Sequence, residues 1–293
     1  MKQIAVISGK GGTGKTSIVA AFAVLAKDLV LADCDVDASD LHLLLEPTLE
    51  ERAEFRAGYE PDFDPEKCTG CGECVRLCRF DAVHLDAESG LAKFDLLACE
   101  GCGVCEDVCP GEAVKMRECV AGESYRSRTR FGTLFHARLG IGGEMSGKLA
   151  SSIRMKTEEY AKKTGAKLIL IDGSPGVGCP VIASLAGVDA ALVVTEPTLS
   201  GLHDMERVLD LCTHFKISSI VLINKSDLNP DVAEQIKESC KRRGVNVAGE
   251  IPFDRAFTDA MMAGKTIIEY DNGPSAERVK AAWEQVQAAC LNK

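Results

Sequence analysis

Short apolar runs alternate along the chain with longer segments whose apolar positions recur at helical spacing. A short apolar run bounded by polar residues is typical of a strand buried on both faces, as in parallel sheets. The longer segments are typical of helices that cover a sheet. The pattern predicts an α/β fold in which helices cover both faces of a mostly parallel sheet. The predicted strands are 4–7, 28–33, 167–171, 190–195, 220–223 and 245–251, and the predicted helices are 18–27, 148–164, 202–215, 231–243 and 274–291.

The stretch from Ser8 to Ser17 lies between the first predicted strand and the first predicted helix. It contains G-x-x-x-x-G-K-[ST], in which backbone N–H groups cradle phosphates, the lysine neutralises them and the hydroxyl reaches Mg²⁺. The N-terminal dipole of the following helix faces the same phosphates. The sequence therefore predicts a nucleotide site formed by Gly9, Lys10, Gly11, Gly12, Thr13, Gly14, Lys15, Thr16 and Ser17.

Acidic residues follow two of the predicted strands, at the end where a parallel sheet faces its ligand crevice. Such carboxylates hold Mg²⁺ through water or orient an attacking water molecule. After strand 167–171, Asp172 is followed by Gly176, the arrangement by which P-loop enzymes contact Mg²⁺ and sense a γ-phosphate. At and after the end of strand 28–33 stand Asp33, Asp35, Asp37 and Asp40.

Eight of the fourteen cysteines stand in two matching runs of the form C-x₂-C-x₂-C-x₃-C. This is the bacterial ferredoxin spacing, in which three close thiolates of one run and the fourth cysteine of the other hold one [4Fe–4S] cluster. Zinc bound by paired C-x₂-C units is the alternative. A zinc site needs four ligands, however, and does not require that the two runs exchange their fourth cysteines. The predicted first cluster has Cys68, Cys71, Cys74 and Cys109 as ligands, and the second has Cys99, Cys102, Cys105 and Cys78.

The segment 61–119 contains both cysteine runs and differs in composition from its surroundings. It is predicted to be a small inserted α+β domain of the ferredoxin type. Residues 1–60 and 120–293 then form the P-loop domain. After the insert, residues 125–139 alternate polar and apolar positions, which predicts a hairpin or two strands. Gly140 to Gly147 is interpreted as a connecting loop, with a hinge or a partner contact as the alternative. Strands of the insert are expected at 82–85, 92–94 and 113–116.

The chain of 293 residues has a net charge of −10. Nucleic acid is therefore not an expected partner, because a contiguous basic surface for a phosphate backbone is lacking. No apolar signal region follows Met1, and no apolar run approaches the roughly 20 residues that span a bilayer. Fourteen cysteines in such a chain indicate metal ligation in a reducing compartment rather than disulfides. We expect a cytoplasmic protein whose partners are small molecules or proteins, with no membrane partner.

Together these motifs resemble the MinD/ParA/nitrogenase-iron-protein class of deviant Walker A ATPases, and among them the members with an inserted 2[4Fe–4S] ferredoxin domain. The distinguishing residue is Lys10, the first lysine of G-K-G-G-T-G-K-T. In this class that lysine enters the partner subunit's nucleotide site, where a second cation cancels charge developing on the transferred phosphoryl group. The resemblance implies a homodimer, or a heterodimer with a related ATPase, that holds ATP and Mg²⁺ at its interface.

The resemblance also implies roles for single residues. Lys10 and Lys15 are the implied catalytic cations, and Asp35 is the implied carboxylate that positions the hydrolytic water. Asn224 begins N-K-S-D, a pattern that reads guanine in GTPases, whereas in related ATPases an asparagine here contacts adenine. ATP is thus expected and GTP stays open. The implied Mg²⁺-associated residues are Thr16, Asp33 and Asp172, and the implied base contacts are Asn224, Pro252 and Asp254.

Two departures from the class bear on its cysteines. Scaffold-type relatives that carry clusters use a C-terminal C-x-x-C to bridge two subunits, whereas Cys212, Cys240 and Cys290 are isolated and resemble ordinary helix cysteines. Cys179 stands seven residues beyond Asp172, the offset at which the nitrogenase iron protein places a cluster ligand. The second bridging cysteine of that protein has no match in this chain.

The expected function is an ATPase whose nucleotide-dependent dimerisation gates electron transfer through two [4Fe–4S] clusters to a redox partner protein. One alternative is an ATPase that assembles or delivers iron–sulfur or related metal cofactors. The other is a spatial organiser or protein-interaction switch, like the cell-division members of the class. The helix 274–291 mixes charges with Trp283 and Val286, which is typical of a core helix and not of a membrane anchor.

Overall fold

The computed structural model describes residues 1–140 and 145–290. Within these ranges, no helix combines the length and the apolar character needed to cross a bilayer. The strands are β1 (Lys2–Ser8), β2 (Leu29–Asp33), β3 (Thr48–Phe63), β4 (Val83–Leu85), β5 (Ala92–Phe94), β6 (Val114–Arg128), β7 (Thr133–Leu139), β8 (Leu168–Pro175), β9 (Ala190–Thr195), β10 (Ser218–Asn224) and β11 (Asn246–Ile251). The helices are α1 (Lys15–Leu25), α2 (Leu41–Leu45), α3 (Glu73–Leu77), α4 (Val104–Asp107), α5 (Ser146–Thr164), α6 (Cys179–Leu185), α7 (Leu199–His214), α8 (Pro230–Arg243), α9 (Ala256–Met262), α10 (Ile267–Tyr270) and α11 (Pro274–Cys290).

Nine of the described strands form one sheet in the order β11-β10-β9-β1-β8-β2-β7-β6-β3, and β4 pairs with β5 in a separate antiparallel ladder. β1 lies between β8 and β9 and runs parallel to both. The pairs β2–β8, β2–β7, β9–β10 and β10–β11 are parallel as well. The mostly parallel sheet is thus confirmed. Because its strands point the same way, the loops that follow β1, β2, β8, β9 and β10 gather at one edge.

Helices bury both faces of this sheet. Alternate strand residues, such as Val6 in β1 and Leu170 in β8, join α1, α2, α10 and α11 in one apolar cluster. Within it the ring centroids of Phe22 and Trp283 lie 4.8 Å apart, so α11 is a core helix, as its pattern predicts. α5, α6 and α7 pack against the strands to form the other helical layer. Burial on both faces explains why the central strands are continuous apolar runs.

Most predicted elements are present with shifted ends. α1 begins at Lys15 instead of residue 18, directly after Gly14, whose left-handed φ of 87° ends the preceding loop. The strand expected at 113–116 is instead the beginning of β6, which continues to Arg128. The hairpin or two strands expected over 125–139 correspond to the end of β6 and to β7. Residues 141–144 of the predicted glycine-rich loop, and residue 291 of the last predicted helix, lie outside the described residues.

The strand β3 has no counterpart among the predicted elements. It lies at the end of the strand order, and its exposed positions carry mostly charged or polar side chains. Charges on an edge strand discourage pairing with other chains, and they also remove the apolar signal by which a strand is predicted. The short helices α6, α9 and α10 escape prediction because a few residues show no helical period.

The chain divides into two compact units. The first comprises Met1–Ala53, Ser124–Leu139 and Ser146–Lys293, and the second comprises Glu54–Glu123 with Gly140–Met145. The predicted insert of residues 61–119 falls within the second unit, and its identity as a ferredoxin-like domain stays a prediction. Among its described residues, the buried side chains of the second unit are small and apolar, namely Ala57, Pro61, Ala82, Val83, Ala92, Ala113, Val114 and Ala121.

Candidate functional site

The loop between β1 and α1 is held by the residues at the end of β10. The Asn224 side-chain amide donates to the Thr13 carbonyl oxygen at 2.8 Å, and the Lys225 ammonium donates to the Gly12 carbonyl oxygen at 2.8 Å. Gly14 has a φ of 87°, and an added Cβ would lie 2.4 Å from the Asn224 amide nitrogen. Only glycine fits this position, so the shape of the loop depends on both its own sequence and the neighbouring strand.

A cavity with an empty volume of about 1040 Å³ lies over this loop. The predicted phosphate-binding residues from Gly11 to Ser17 line it together with Asp35, the predicted water-positioning residue. The structure therefore brings these two parts of the predicted site together at the carboxyl edge of the sheet. The remaining lining residues are Ser8, Asp37, Ala38, Asp40, Ser174, Pro175 and Pro180.

Lys15 is a buried cation held by two carboxylates. Its ammonium bonds to Asp172 Oδ1 and lies 3.5 Å from Asp35 Oδ2. Burial alone would lower the pKa of Lys15, but the charges of Asp172 and Asp35 outweigh it and raise the pKa above its ordinary value. The other oxygen of Asp172, Oδ2, is buried without a hydrogen-bond partner among the described residues. A buried carboxylate oxygen in this setting fits a metal ion or a metal-bound water, and Thr16 lines the same cavity.

Asp33 organises the loop after β2 and is not among the residues that line the cavity. Its carboxylate accepts hydrogen bonds from Ser39 Oγ at 2.8 Å and from the N–H groups of Asp35 at 3.1 Å and Leu41 at 3.3 Å. Burial and the nearby charge of Asp172 raise the pKa of Asp33 to about 8. Its direct contacts make Asp33 the residue that positions Asp35, and its association with Mg²⁺ stays a prediction.

Asp35 borders the cavity, and its carboxylate faces Lys15. Burial raises the pKa of Asp35 to about 6, although the charge of Lys15 opposes the rise. A carboxylate with a pKa near this value is ionised at neutral pH and is still basic enough to orient a water molecule.

A second cavity, with an empty volume of about 530 Å³, adjoins the phosphate loop at Gly14 and Ser17. The three predicted base contacts, Asn224, Pro252 and Asp254, all line it. Aromatic and aliphatic side chains complete a wall that suits the flat face of a base. The other lining residues are Lys225, Phe253, Phe257, Thr258 and Met261.

Two aspartates beside this second cavity are engaged with the protein itself. Asp227 Oδ1 accepts a hydrogen bond from the Phe253 N–H at 2.6 Å, and Asp227 is not among the lining residues. Asp254 accepts hydrogen bonds from the Ala256 N–H at 2.9 Å and from Ser275 Oγ at 2.5 Å. Both carboxylates therefore shape the loop that follows β11.

Lys10, the lysine expected to act across a dimer, contacts its own chain. Its ammonium lies 2.7 Å from Glu196 Oε1, 3.2 Å from Thr198 Oγ1 and 3.3 Å from Ser200 Oγ. The second oxygen of Glu196 lies 3.0 Å from the Lys225 ammonium. One carboxylate thus pairs with two lysines that flank the phosphate loop.

Glu196 is a site residue that sequence reasoning missed. It directly follows β9 at the same edge of the sheet, so the signal that identifies Asp172 was present here too. Lys225 was detectable only in part. It belongs to the N-K-x-D pattern, but that pattern assigns it no role toward the phosphate loop. Its φ of 53° is uncommon for a residue other than glycine.

In the second unit, the two cysteine runs adopt the same local backbone. Each run contains two glycines with left-handed φ, 67° at Gly70 and 75° at Gly72, and 64° at Gly101 and 83° at Gly103. A short helix, α3 or α4, follows the second glycine of each run. The sequence repeat is therefore also a structural repeat.

Two cavities of similar size divide the eight cysteines between them. Their empty volumes are about 360 and 370 Å³. Each is lined by three closely spaced cysteines of one run and by the fourth cysteine of the other run. The cysteines are Cys68, Cys71, Cys74 and Cys109 in the first cavity, and Cys78, Cys99, Cys102 and Cys105, with Cys74 again, in the second.

The thiols themselves are not gathered into a coordination sphere. In the part of the chain that the structure describes, no three His, Cys, Asp or Glu side chains are arranged to hold a metal ion. Burial raises the pKa of the Cys105 thiol to about 11. Cluster ligation therefore stays a prediction. Cys179 is exposed at the start of α6, whereas Cys212, Cys240 and Cys290 are buried in helices.

Residues 4–267 match the CbiA family, described as the CobQ/CobB/MinD/ParA nucleotide binding domain. The uncharacterized protein MJ0578 of Methanocaldococcus jannaschii is 34% identical to this chain over 290 residues, which are 97% of this chain and 96% of that protein. Both comparisons extend over the predicted insert as well as the P-loop segments.

Solved structures of MinD proteins are among those that share the fold. The MinC:MinD cell division protein complex of Aquifex aeolicus contains a chain with a TM-score of 0.58 and 17% identity, which covers 98% of this chain and 96% of its own. The septum site-determining protein MinD complexed with Mg-ADP from Pyrococcus horikoshii also has a TM-score of 0.58, with 16% identity and coverage of 97% and 95%. The chain belongs to the CobQ/CobB/MinD/ParA nucleotide-binding family.

Proposed function

We propose that this protein is an ATPase whose nucleotide-dependent dimer couples ATP to electron transfer through two [4Fe–4S] clusters. The observation behind this proposal is that each of two similar cavities is lined by one interleaved set of four cysteines, with Cys74 lining both cavities. Zinc sites made of paired C-x₂-C units would not need this exchange of the fourth cysteine between runs.

The nucleotide half of the proposal rests on the cavity over the phosphate loop. Lys15 would neutralise phosphate charge, and the N–H groups of the loop would cradle the phosphates. Thr16 and the unpartnered Oδ2 of Asp172 would hold Mg²⁺ or its water. Asp35, positioned by Asp33, would orient the hydrolytic water.

We infer that the base bound in the second cavity is adenine. In N-K-x-D GTPases the aspartate reads guanine, but here the Asp227 carboxylate accepts the Phe253 N–H at 2.6 Å. Asn224 lines the cavity, as does Pro252. The proposal therefore names ATP, and a GTP preference would contradict this part of it.

The dimer half of the proposal rests on Lys10. A lysine at this place in the loop would supply a second cation to a partner's nucleotide, which is the arginine-finger logic of other P-loop enzymes. The MinC:MinD complex shows that a structurally similar chain assembles with a partner protein. The choice between a homodimer and a heterodimer with a related ATPase belongs to the test.

The second unit also fits a bound cofactor by its own packing. Its described buried apolar side chains are alanines, valines and Pro61, whereas the largest fully buried side chains all lie in the first unit. A domain of this size with so small a core usually needs metal ligation or disulfides to stay folded. Bound clusters would supply one-electron carriers here. Left-handed turns are repeated in both cysteine runs, at Gly70, Gly72, Gly101 and Gly103.

Metal analysis tests the cluster assignment. Anaerobically purified protein should contain about eight irons per chain with matching sulfide. Cys99→Ser should lose the signal of one cluster, and Cys119→Ser, in the same unit but outside the runs, should retain both. Stoichiometric zinc without sulfide would overturn the assignment.

Redox titration with and without ATP tests the coupling. We expect ATP to shift the potential of at least one cluster in the wild-type protein but not in Lys15→Ala. Potentials that ignore ATP would contradict the proposal. ATP-dependent loss of clusters to an apo-acceptor protein would instead favour the delivery function, and hydrolysis that depends only on a localising partner would favour the organiser function.

A further inference from the structure

The ammonium of Lys10 is held in a small polar pocket made by the end of β9 and the start of α7. Glu196 supplies a carboxylate at 2.7 Å, and Thr198 and Ser200 supply hydroxyl oxygens at 3.2 and 3.3 Å. Ser8 Oγ donates to the Lys10 carbonyl oxygen at 2.9 Å and so holds the backbone as well. The side chain of Lys10 is 31% exposed and that of Glu196 is 12% exposed. A lysine placed in this way is bound by its own subunit.

Close packing brings the two sides of this pocket together. A Cβ added to Gly9 would lie 2.4 Å from Asp204 Cβ, in α7, so the absence of a side chain at residue 9 lets the phosphate loop approach that helix. Thr198 is the N-cap of α7 and also accepts the Gly201 N–H at 3.0 Å, which fixes its hydroxyl beside Lys10. The pocket around the Lys10 ammonium is therefore formed by residues whose positions are set by the start of α7.

Glu196 can lose Lys10 without becoming an unpaired, partly buried charge. Its second oxygen remains 3.0 Å from the Lys225 ammonium, which in turn is bound to the Gly12 carbonyl oxygen at 2.8 Å. Burial would raise the pKa of Glu196, but hydrogen bonds from Lys10 and Lys225 outweigh it and hold the pKa below its ordinary value. Removing one partner of a buried pair is costly when the other charge is left alone, and the third charge avoids that cost.

We propose that Glu196 is a positioning residue that holds Lys10 within its own subunit and releases it when the nucleotide-bound dimer forms. The inference rests on the proposed function, because it needs Lys10 to act across the dimer. The same lysine cannot contact Glu196 and a partner's phosphates at once. Glu196 therefore competes with the partner's nucleotide for one ammonium and makes association weaker than it would be with a free lysine.

Chemical labelling of Lys10 tests its contact with Glu196 directly and does not depend on dimerisation. The full-length protein without nucleotide is treated with an amine-acetylating reagent, and the modification rate of Lys10 is measured by mass spectrometry relative to Lys167. We expect Glu196→Gln to raise the relative rate about fivefold, the upper range for a partly exposed ion pair. Ser200→Ala, at an exposed residue, should raise it less. Equal rates at Lys10 in the wild type and both variants would overturn the proposal.

Lys225→Met is the matched control for general loosening of the loop. It removes the bond to Gly12 but leaves Glu196 free to pair with Lys10, so the labelling of Lys10 should not accelerate. Acceleration equal to that of Glu196→Gln would show that Glu196 acts through Lys225 and would contradict the proposal.

The consequence is measured by sedimentation velocity with ATP and Mg²⁺. We expect Glu196→Gln to associate about fivefold more tightly than the wild type, with Ser200→Ala changed in the same direction. Faster labelling without tighter association would contradict the proposal. Lys10→Ala separates the two levels of inference, because normal ATP-dependent association of that variant would refute the proposed function whatever the labelling shows.

Discussion

Lys15 combines two tasks that a substitution can separate. It neutralises the buried Asp172 and Asp35 carboxylates, and in the proposed function it also neutralises phosphate. Lys15→Ala should abolish ATP-dependent association, and ATP affinity should fall about 10- to 100-fold, as expected for a lost charge-assisted bond. The loss also leaves Asp172 buried without its cation, which destabilises the fold.

A second substitution separates the effect on ATP binding from the effect on folding. Lys15→Gln retains a donor for Asp172 and should stay folded while binding ATP as weakly as Lys15→Ala. Lys27→Ala, at an exposed lysine just after α1, is the matched control and should behave like the wild type. Unchanged ATP affinity in a folded Lys15→Gln protein would contradict the assigned role.

The buried imidazole of His136 should make the free energy of unfolding depend on pH. Burial, with repulsion from His42 stacked 5.7 Å away, lowers the pKa of His136 to about 4. The folded state therefore holds this imidazole neutral, and an unfolded chain protonates it near pH 6.5. The stability that results is present above about pH 6.5 and is lost as the pH falls toward 4, by at most about 1.4 kcal/mol per pH unit.

Urea unfolding between pH 7 and pH 5 measures this effect. His136→Gln, which keeps a partner for Ser127 Oγ at 3.1 Å, should unfold with a shallower pH dependence than the wild type. His214→Gln, at an exposed histidine of α7, should retain the wild-type slope. Parallel pH profiles for the wild type and His136→Gln would rule out the buried neutral imidazole.

At the scale of elements, the phosphate loop depends on the fit between two segments distant in sequence. Gly14 combines a φ of 87° with a predicted steric conflict, because an added Cβ would lie 2.4 Å from Asn224 Nδ2. Gly165 has a similar φ of 71° with nothing within 4 Å of its added Cβ. Substitutions at the two glycines therefore separate the effect of backbone strain from the effect of a steric clash with Asn224.

Gly14→Ala and Gly165→Ala should differ in both stability and binding. Gly165→Ala should lower the free energy of unfolding by about 1–2 kcal/mol, the cost of a left-handed residue with a Cβ, and leave ATP affinity unchanged. Gly14→Ala should cost more and should lose ATP binding, because Asn224 must move off the Thr13 carbonyl. Calorimetry and nucleotide titration measure both. Equal effects of the two substitutions would show that the contact with Asn224 does not matter.

At the scale of the whole molecule, the two units differ in what stabilises them. The first has a large apolar core between sheet and helices, whereas the buried side chains among the described residues of the second are alanines, valines and Pro61. If metal ligation replaces the missing core, removing the metal should loosen the second unit far more than the first.

Hydrogen exchange after anaerobic iron chelation checks this expectation. Amides within 54–123 should exchange at least about tenfold faster, as expected when a unit opens without its ligand. Amides of β1, β8 and β9 should be little affected, and ATP should still bind. Unchanged exchange in 54–123 after complete metal loss would mean that this unit is stable without a cofactor.

Much of the candidate site was predictable because it depends on short spacings. The loop 8–17 and the two cysteine runs are local patterns, and so is Asp172, which follows the apolar run 167–171 although β8 continues to Pro175. The geometry of a turn or a chelate depends on the number of residues within it. The buried strands were predictable for a related reason, since burial on both faces requires a continuous apolar run.

Only the tertiary structure decided how these parts meet. Lys10 contacts Thr198, 188 residues away, and Asn224 contacts Thr13, 211 residues away, and no local spacing encodes such pairs. Tertiary packing also separated Asp33, held by backbone N–H groups, from Asp35, which faces the cavity. The sequence by itself determined which residues are candidates for phosphate binding and for thiol ligation. The parallel sheet decided which of them touch, because it brings loops from distant strands to one edge.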